Sequence, residues 1–501
     1  MQAFSIEKTI AKTESKIKNI FKMIKDKSNE LDAYNMEYLI LIEVLKLGKL
    51  LLEGYFAERG TGDIGPELKK DDTIFKKESR LYGRDYFSIF GKIKVPRSCY
   101  RTSNKPGIMP LDAMVNLPSR CYSYLLQEWM DHLVIGDSYE ECKKTLNKLL
   151  GLNIHVNTLE TINIESSIDY DKFYEVKQLA SPETEGEIQV QSYDGKGVPV
   201  IKKEAANLQA KLGKGEKRQK KKEALVGVSY TVDKNIRTPE EVAENLIFPE
   251  IAKQKKEKEK KTEPPKAQNI RRMASLERSK EEVIKEISND AKKRNPTGKR
   301  INVVLMDGAL HLWNLVASQL SGIKFIGILD IIHVLTYLWD VGNALYGEKS
   351  KDGKDWVYKH LLLILHGNVG RVIGGLKQIL IKRKLKSKQK VVLEKAIRYF
   401  ENHKKWMCYN VYLKEGYPIG SGVVESSCCH TVKSRMEGSG RRWSIQGAES
   451  TLLLRSIYTS NDWDEYWQTH MNLEEGRLYK ETLLAISSFL KADDYDLKKA
   501  A

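Results

Sequence analysis

Three acidic residues stand out by where they fall in the chain: Asp194, Asp307 and Glu425. Asp194 closes the run Glu187 to Tyr193, which alternates and then turns polar at Gly195-Lys196-Gly197. Asp307 closes the apolar run Ile301 to Met306 and is followed by Gly308. Glu425 follows a Pro/Gly-rich turn, Gly416 to Gly422, and begins a helix among small and apolar neighbours. One Asp-Gly after a strand reads as an ordinary turn. Two of them, each ending a strand in a basic chain with a later helix-borne acid, point to a site. Residues at the carboxyl ends of neighbouring strands converge on one crevice. Three carboxylates gathered there repel one another and call for cations. Hard oxygen ligands in an open site suit Mg²⁺ or Mn²⁺. Two such ions, about 3.5–4 Å apart, would activate a water or a 3′-hydroxyl and stabilise the leaving oxygen of an in-line phosphodiester displacement.

Other residues near these acids extend the expectation. Asp330 also ends an apolar strand, and His333 sits one turn into the helix that follows. Asp330 would cap that helix, or the two would join the site as auxiliary groups. Lys196, Lys433, Arg435, Arg441 and Arg442 lie close in sequence to the acids and are expected to contact DNA phosphates, giving salt-dependent binding with no sequence preference. Cys428, Cys429 and His430 are adjacent on a helix, so they point in different directions and make a poor metal site. They read as packing.

The rest of the chain agrees with a polyanionic partner. Its 501 residues carry a net charge of +17, with a pI near 9.2, a balance that favours nucleic acid. No apolar run approaches the roughly 18 residues that span a bilayer, and Tyr38 to Leu52 is broken by Glu43, Lys46 and Lys49. No signal-peptide core opens the sequence. Six scattered cysteines without a Cys-x-x-Cys pair fit a reducing cytoplasm. Double-stranded DNA is the expected partner and a membrane is not.

The elements that must position the acids follow from periodicity. Residues 5–57 read as a helix pair for packing or oligomerisation. Tyr86 to Val95 alternates across Gly91 as a hairpin, with Arg97, Tyr100 and Arg101 following. Residues 119–165 return to helix. Ser138 starts one, Gly151 breaks it and another begins near Asn157, the layout of a helix-turn-helix. Then come three expected antiparallel strands, 187–194, 198–201 and 224–232, the opening of an RNase H-like sheet. Residues 233–300 are charge-dense and read as an exposed insertion followed by an amphipathic helix. Strands ending at Asp307 and Asp330 alternate with helices, as in a parallel half-sheet. Residues 348–412 are helical and basic. Residues 444–472 read as a closing core helix.

Several of these stretches, taken together, resemble the Kra-type bacterial insertion-sequence transposases, relatives of the Mutator-like branch of DDE transposases. The stretches are Asp194 to Pro199, Lys222 to Val232, Arg237 to Val242, Val304 to Gly308, Asp330 to Trp339, Gly416 to Glu425 and Asp464 to Trp467, in the same order across about residues 85–470. The Lys-rich segment at 233–270 departs from that pattern. The resemblance implies an α/β fold: an RNase H-like catalytic core with an all-helical insertion, behind a mainly helical N-terminal region with a small hairpin. The expected domains are 1–80 (helical), 81–180 (hairpin and helices), 185–347 with 413–472 (catalytic, with a charged insertion at 233–272), 348–412 (helical insertion) and 473–501 (tail). It implies that Asp194, Asp307 and Glu425 are the catalytic, metal-holding acids, and that Asp330 and His333 form the Asp-x-x-His signature between the second acid and the glutamate. It implies metal-dependent cleavage at terminal inverted repeats and strand transfer into target DNA, with two Mg²⁺ or Mn²⁺ ions. The protein would act in the bacterial cytoplasm at the nucleoid, as a dimer on DNA. A non-catalytic DNA-binding protein and a structure-selective nuclease of the same fold are the alternatives.

Overall fold

The structure, a computed structural model, describes residues 2–206, 208, 220–259, 263–438 and 440–492. Most of the basic run Lys214 to Lys222, the end of the run Lys253 to Lys261 and the last nine residues of the tail lie outside these. The chain forms two compact units: the first comprises residues 1–175 and 464–501, the second 176–463.

The first unit begins with two helices, α1 (Ile6–Lys27) and α2 (Ala33–Arg59), whose first turns are capped by the Ser5 and Asp32 side chains. Strands β1 (Glu67–Lys70) and β2 (Thr73–Lys77) form a hairpin. The expected hairpin is β3 (Tyr82–Ser88) and β4 (Gly91–Arg97), turning between Ser88 and Gly91. A short β5 (Tyr100–Arg101) then pairs with β2. Arg84 and Arg97 of this hairpin both pair with Asp112. Helices Tyr124–Val134, Tyr139–Leu150 and Val156–Ser166 enclose Leu126, Met130, Cys142, Leu146, Leu159 and Ile162. Ser138 caps the second of these, and Gly151 ends it at φ 66°. Ala485 and Ile486, from helix Trp463–Ala492, share a core with Leu68, Phe75 and Tyr100. Residues from Asp464 onward therefore belong with the N-terminal region rather than with the sheet, and the stretch expected as a tail is helical through Ala492.

The second unit is built on a mixed five-stranded sheet of β6 (Ile188–Pro199), β7 (Lys221–Val232), β8 (Gln268–Ser275), β9 (Ile301–Met306) and β10 (Ile326–Leu329), in the order β10-β9-β6-β7-β8. β6, β7 and β8 are antiparallel neighbours, while β9 runs parallel to β6 and β10 parallel to β9. Two expectations are corrected. β6 does not turn at Gly195-Lys196-Gly197 but continues to Pro199, pairing with β7 throughout, so Asp194 lies within a strand. The charge-dense stretch is not one exposed insertion: it folds as helices Pro239–Ile247 and Pro249–Glu259 and then supplies the edge strand β8. Helix Lys280–Arg294 covers β7 and β6 with Val283, Ile284 and Ile287, and helix Ile445–Thr459 packs along β8. After β10, helix Ile331–Tyr346 leads into helices Lys351–Leu365, Val369–Lys382 and Ser387–His403, the expected helical insertion. Among the described residues no helix is long and apolar enough to cross a membrane.

Candidate active site

The site is organised by the register of two parallel strands. Gln191 of β6 stands opposite Val304 of β9. Carrying that offset three residues forward brings Asp194 level with Asp307, the residue just past the end of β9. Glu425 arrives from helix Gly422–Ser427, which packs on β6 and β7.

Each acid has distinct partners. Asp194 Oδ2 pairs with Lys196 Nζ at 2.7 Å. The two share a face of β6 because strand side chains repeat every second residue. The same oxygen accepts from Cys428 Sγ at 3.4 Å. Asp307 Oδ1 accepts from the Ala309 amide at 3.0 Å, and its carbonyl accepts from Trp313 Nε1 at 2.9 Å. Trp313 stacks on Trp406, with ring centroids 4.1 Å apart. His403 Nε2 lies 2.9 Å from the Gly308 carbonyl, and a Cβ at Gly308 would sit 2.4 Å from the Tyr399 ring. The helical insertion is therefore docked onto the turn that carries Asp307, and only glycine fits beneath it.

Asp330 is fully buried and accepts four hydrogen bonds: the Ile332 amide (3.1 Å) and the Ser421 amide (3.0 Å) on Oδ1, and the Ser421 hydroxyl (2.8 Å) and His333 Nδ1 (2.7 Å) on Oδ2. The expected helix cap is thus also a clamp on the turn before Glu425. Ser421 Oγ reaches Glu425 Oε1 at 3.3 Å, and the Ile331 amide donates to the Ile419 carbonyl at 2.9 Å. Ligand atoms of Asp330, His333 and Glu425 lie within 4.8 Å of one another. With both its oxygens already taken, Asp330 orients the other two rather than offering a free oxygen to an ion.

Charge follows the geometry. Burial alone would raise the Asp330 carboxyl, but the bonds from His333 and Ser421 hold it below its usual range. The bond to Asp330 raises the His333 imidazole above its ordinary value; burial opposes this, and the Asp307 and Asp194 charges add to it. Burial works against the Lys196 ammonium, yet its bond to Asp194, helped by Glu425, leaves it raised. Burial and the neighbouring Asp194 push the Cys428 thiol far up, so it is a neutral donor. The charges of Asp194, Asp307 and Asp330 are therefore all felt at His333.

No family model matches this sequence, and no curated protein matches it. The site stands on its own geometry, in which ligand atoms of Asp330, His333 and Glu425 lie within 4.8 Å of one another and the charges of Asp307 and Asp194 reach His333.

The expected phosphate contacts divide. Lys433 and Arg442 are exposed. Arg441 is half-buried and gives Nη1 to the Arg435 carbonyl at 2.7 Å, holding a helix end. Arg435 is 1 % exposed and lies over the Trp443 ring at 4.3 Å, so it is a packing residue and not a surface contact. The helix expected to run on from Glu425 widens into a π-helical turn at Cys428–Lys433. Arg455 takes up the carbonyls of His430 and Thr431 within it. Cys428 is buried as expected but touches Asp194, whereas Cys429 and His430 are exposed. Sequence reasoning missed Ser421 and the Trp313–Trp406 stack. Ser421 was within reach, since a hydroxyl four residues before an acid lies on the same helical face.

Proposed function

We propose that this chain is a DDE transposase with an RNase H-like catalytic domain, acting on double-stranded DNA in the bacterial cytoplasm. The reading rests on the β6–β9 register, which, carried three residues on, levels Asp194 with Asp307, and on Glu425, whose helix packs on β6 and β7 and is tied through Ser421 to Asp330. The strand order supports it: three antiparallel strands, then two parallel ones added beside the first. The basic insertion supports a nucleic-acid partner, since between Val369 and Lys405 twelve Lys and Arg residues face only two acids.

The oxygens of Asp194, Asp307 and Glu425 fit hard divalent cations, and Mg²⁺ or Mn²⁺ bound there would supply nucleophile activation and stabilisation of the leaving oxygen. Lys196 occupies Oδ2 of Asp194 and leaves Oδ1 to serve as a ligand; swinging away would free its ammonium for a phosphate. His333, fixed through Nδ1, keeps Nε2 for the crevice. Lys433 and Arg442 offer backbone contacts beside it. Cleavage at a terminal repeat exposes a 3′-hydroxyl, which then attacks target DNA.

The test is incubation with inverted-repeat DNA and Mg²⁺, scored for cut and joined products. Wild type should yield both and Asp194→Ala neither. Equal cleavage by the two would remove the catalytic assignment. Binding without cleavage would leave a DNA-binding protein, and cutting without joining a nuclease.

A further inference from the structure

Each of the three acids needs something to hold its carboxylate. Asp307 Oδ1 takes the Ala309 amide, and Glu425 Oε1 takes the Ser421 hydroxyl. Asp194 lies inside β6, opposite Val226 of β7, where no turn folds a backbone amide back onto it. An aspartate carboxylate rotates broadly about its last torsion unless a partner stops it. Among the described residues two donors reach Asp194, Lys196 Nζ at 2.7 Å and Cys428 Sγ at 3.4 Å, both on Oδ2. They differ in kind. The Lys196 side chain is 40 % exposed and ends a long flexible stem, whereas Cys428 is 1 % exposed.

The backbone delivers this thiol firmly. Cys428 follows Glu425 by three residues, so the two share a face of helix Gly422–Ser427 where it runs into the next turn. That turn widens into π-helix at Cys428 itself, a deformation concentrated at functional positions. On one side of it the buried Ser427 hydroxyl takes Arg272 Nε at 2.9 Å. On the other the Thr431 carbonyl takes Arg455 Nε at 2.7 Å. Two arginines thus fix the short segment that carries both Glu425 and the donor to Asp194.

We infer that Cys428 is a positioning residue for Asp194: its S–H holds Oδ2, turns Oδ1 toward the metal site and ties the placement of the first acid to that of the third. This rests on the reading of Asp194 as a metal ligand. Lys196 can leave Oδ2 for a phosphate without releasing the carboxylate, because the thiol stays. A thiol is a weak donor. It sets the direction of a ligand from behind while drawing less charge from it than a cation does.

Three substitutions separate this part from simple packing. Cys428→Ser keeps a donor, Cys428→Val keeps apolar bulk without one, and Cys428→Ala keeps neither. Mn²⁺ titrated into the full chain without DNA, followed by calorimetry, should bind about tenfold more weakly to the valine and alanine variants and to Cys428→Ser much as to wild type. The Mg²⁺ concentration for half-maximal cleavage should follow the same order. A packing role ranks the variants the other way, with valine nearest wild type, and that order overturns the proposal. Equal binding by all four proteins overturns it too. The S–H stretching band of Cys428, identified by its loss in Cys428→Ala, reads the bond with no metal present. It should move to higher frequency in Asp194→Ala, and an unmoved band would remove the contact. If Asp194→Ala loses Mn²⁺ while Cys428→Val keeps it, the positioning role alone fails. If wild type and Asp194→Ala take up Mn²⁺ alike, Asp194 is no ligand and both readings fall.

Discussion

The two units each hold an aspartate bonded to a histidine, and in both the distance from Asp Oδ2 to His Nδ1 is 2.7 Å. In the first unit Asp169 also receives both arms of Arg477, at 2.6 and 2.9 Å, and His470 is 4 % exposed with Nε2 toward Glu474. Every partner there is protein, and the pair is part of the packing. In the second unit Asp330 is as deeply buried, but the His333 side chain is 42 % exposed and feels the charges of Asp307 and Asp194. The bond itself is the same. What the second ring nitrogen faces separates a structural pair from a candidate functional one.

Substitutions can break that contrast or sharpen it. The largest effect belongs to Asp194→Ala, expected to lower cleavage about a thousandfold or more without weakening DNA binding. Single-turnover cleavage and filter binding read the two quantities separately. Asp169→Ala in the other unit should leave cleavage per folded molecule unchanged but cost about 3 kcal/mol in urea unfolding, because it strands buried His470 beside a guanidinium. If Asp169→Ala instead abolished cleavage at full stability, the contrast between the units would fail. Asp330→Asn should reduce cleavage about 10- to 100-fold, since the carboxamide places an N–H₂ against donors that Oδ2 now accepts from. Rescue by raised Mn²⁺ would show that only positioning was lost.

The smallest effect is in titration. The His333 imidazole should titrate above 6.5 by NMR, chiefly through its bond to Asp330, and move back toward that value in Asp330→Asn. A raised folded-state value means that its contribution to stability is complete below about pH 6.5 and is lost as pH rises through the folded value. A His333 resonance titrating at or below 6.5 would remove the electrostatic link to the acids.

Much of this was legible because it rests on local pattern. The apolar run Val303 to Met306 ending at Asp307 announced a buried strand with an acid at its tip. Two features misled. Gly195 and Gly197 look like a turn, yet they lie in β6 where Glu223 and Lys221 cross. A Cβ at Gly195 would lie 2.3 Å from the Glu223 carboxylate, so these glycines mark close approach within a strand. β8 was hidden because its two arginines read as exposed. Arg271 pairs with Glu286, and Arg272 reaches Ser427 and the Thr459 carbonyl, partners far away in sequence. Of Ser421, only its place one turn before Glu425 was readable; its clamp on Asp330, ninety-one residues earlier, was not.

The meeting of Ile331 with Ile419, and of Asp330 with Ser421, has a wider bearing. The chain leaves the sheet and returns to it at one point, so the helices between form a closed excursion tied at its neck. Closing a loop costs entropy only as the logarithm of its length, about 0.6 kcal/mol per doubling. The neck is thereby nearly indifferent to how much chain hangs from it. The excursion could shorten, lengthen or be exchanged for another helical segment while the neck went on holding Glu425 in place.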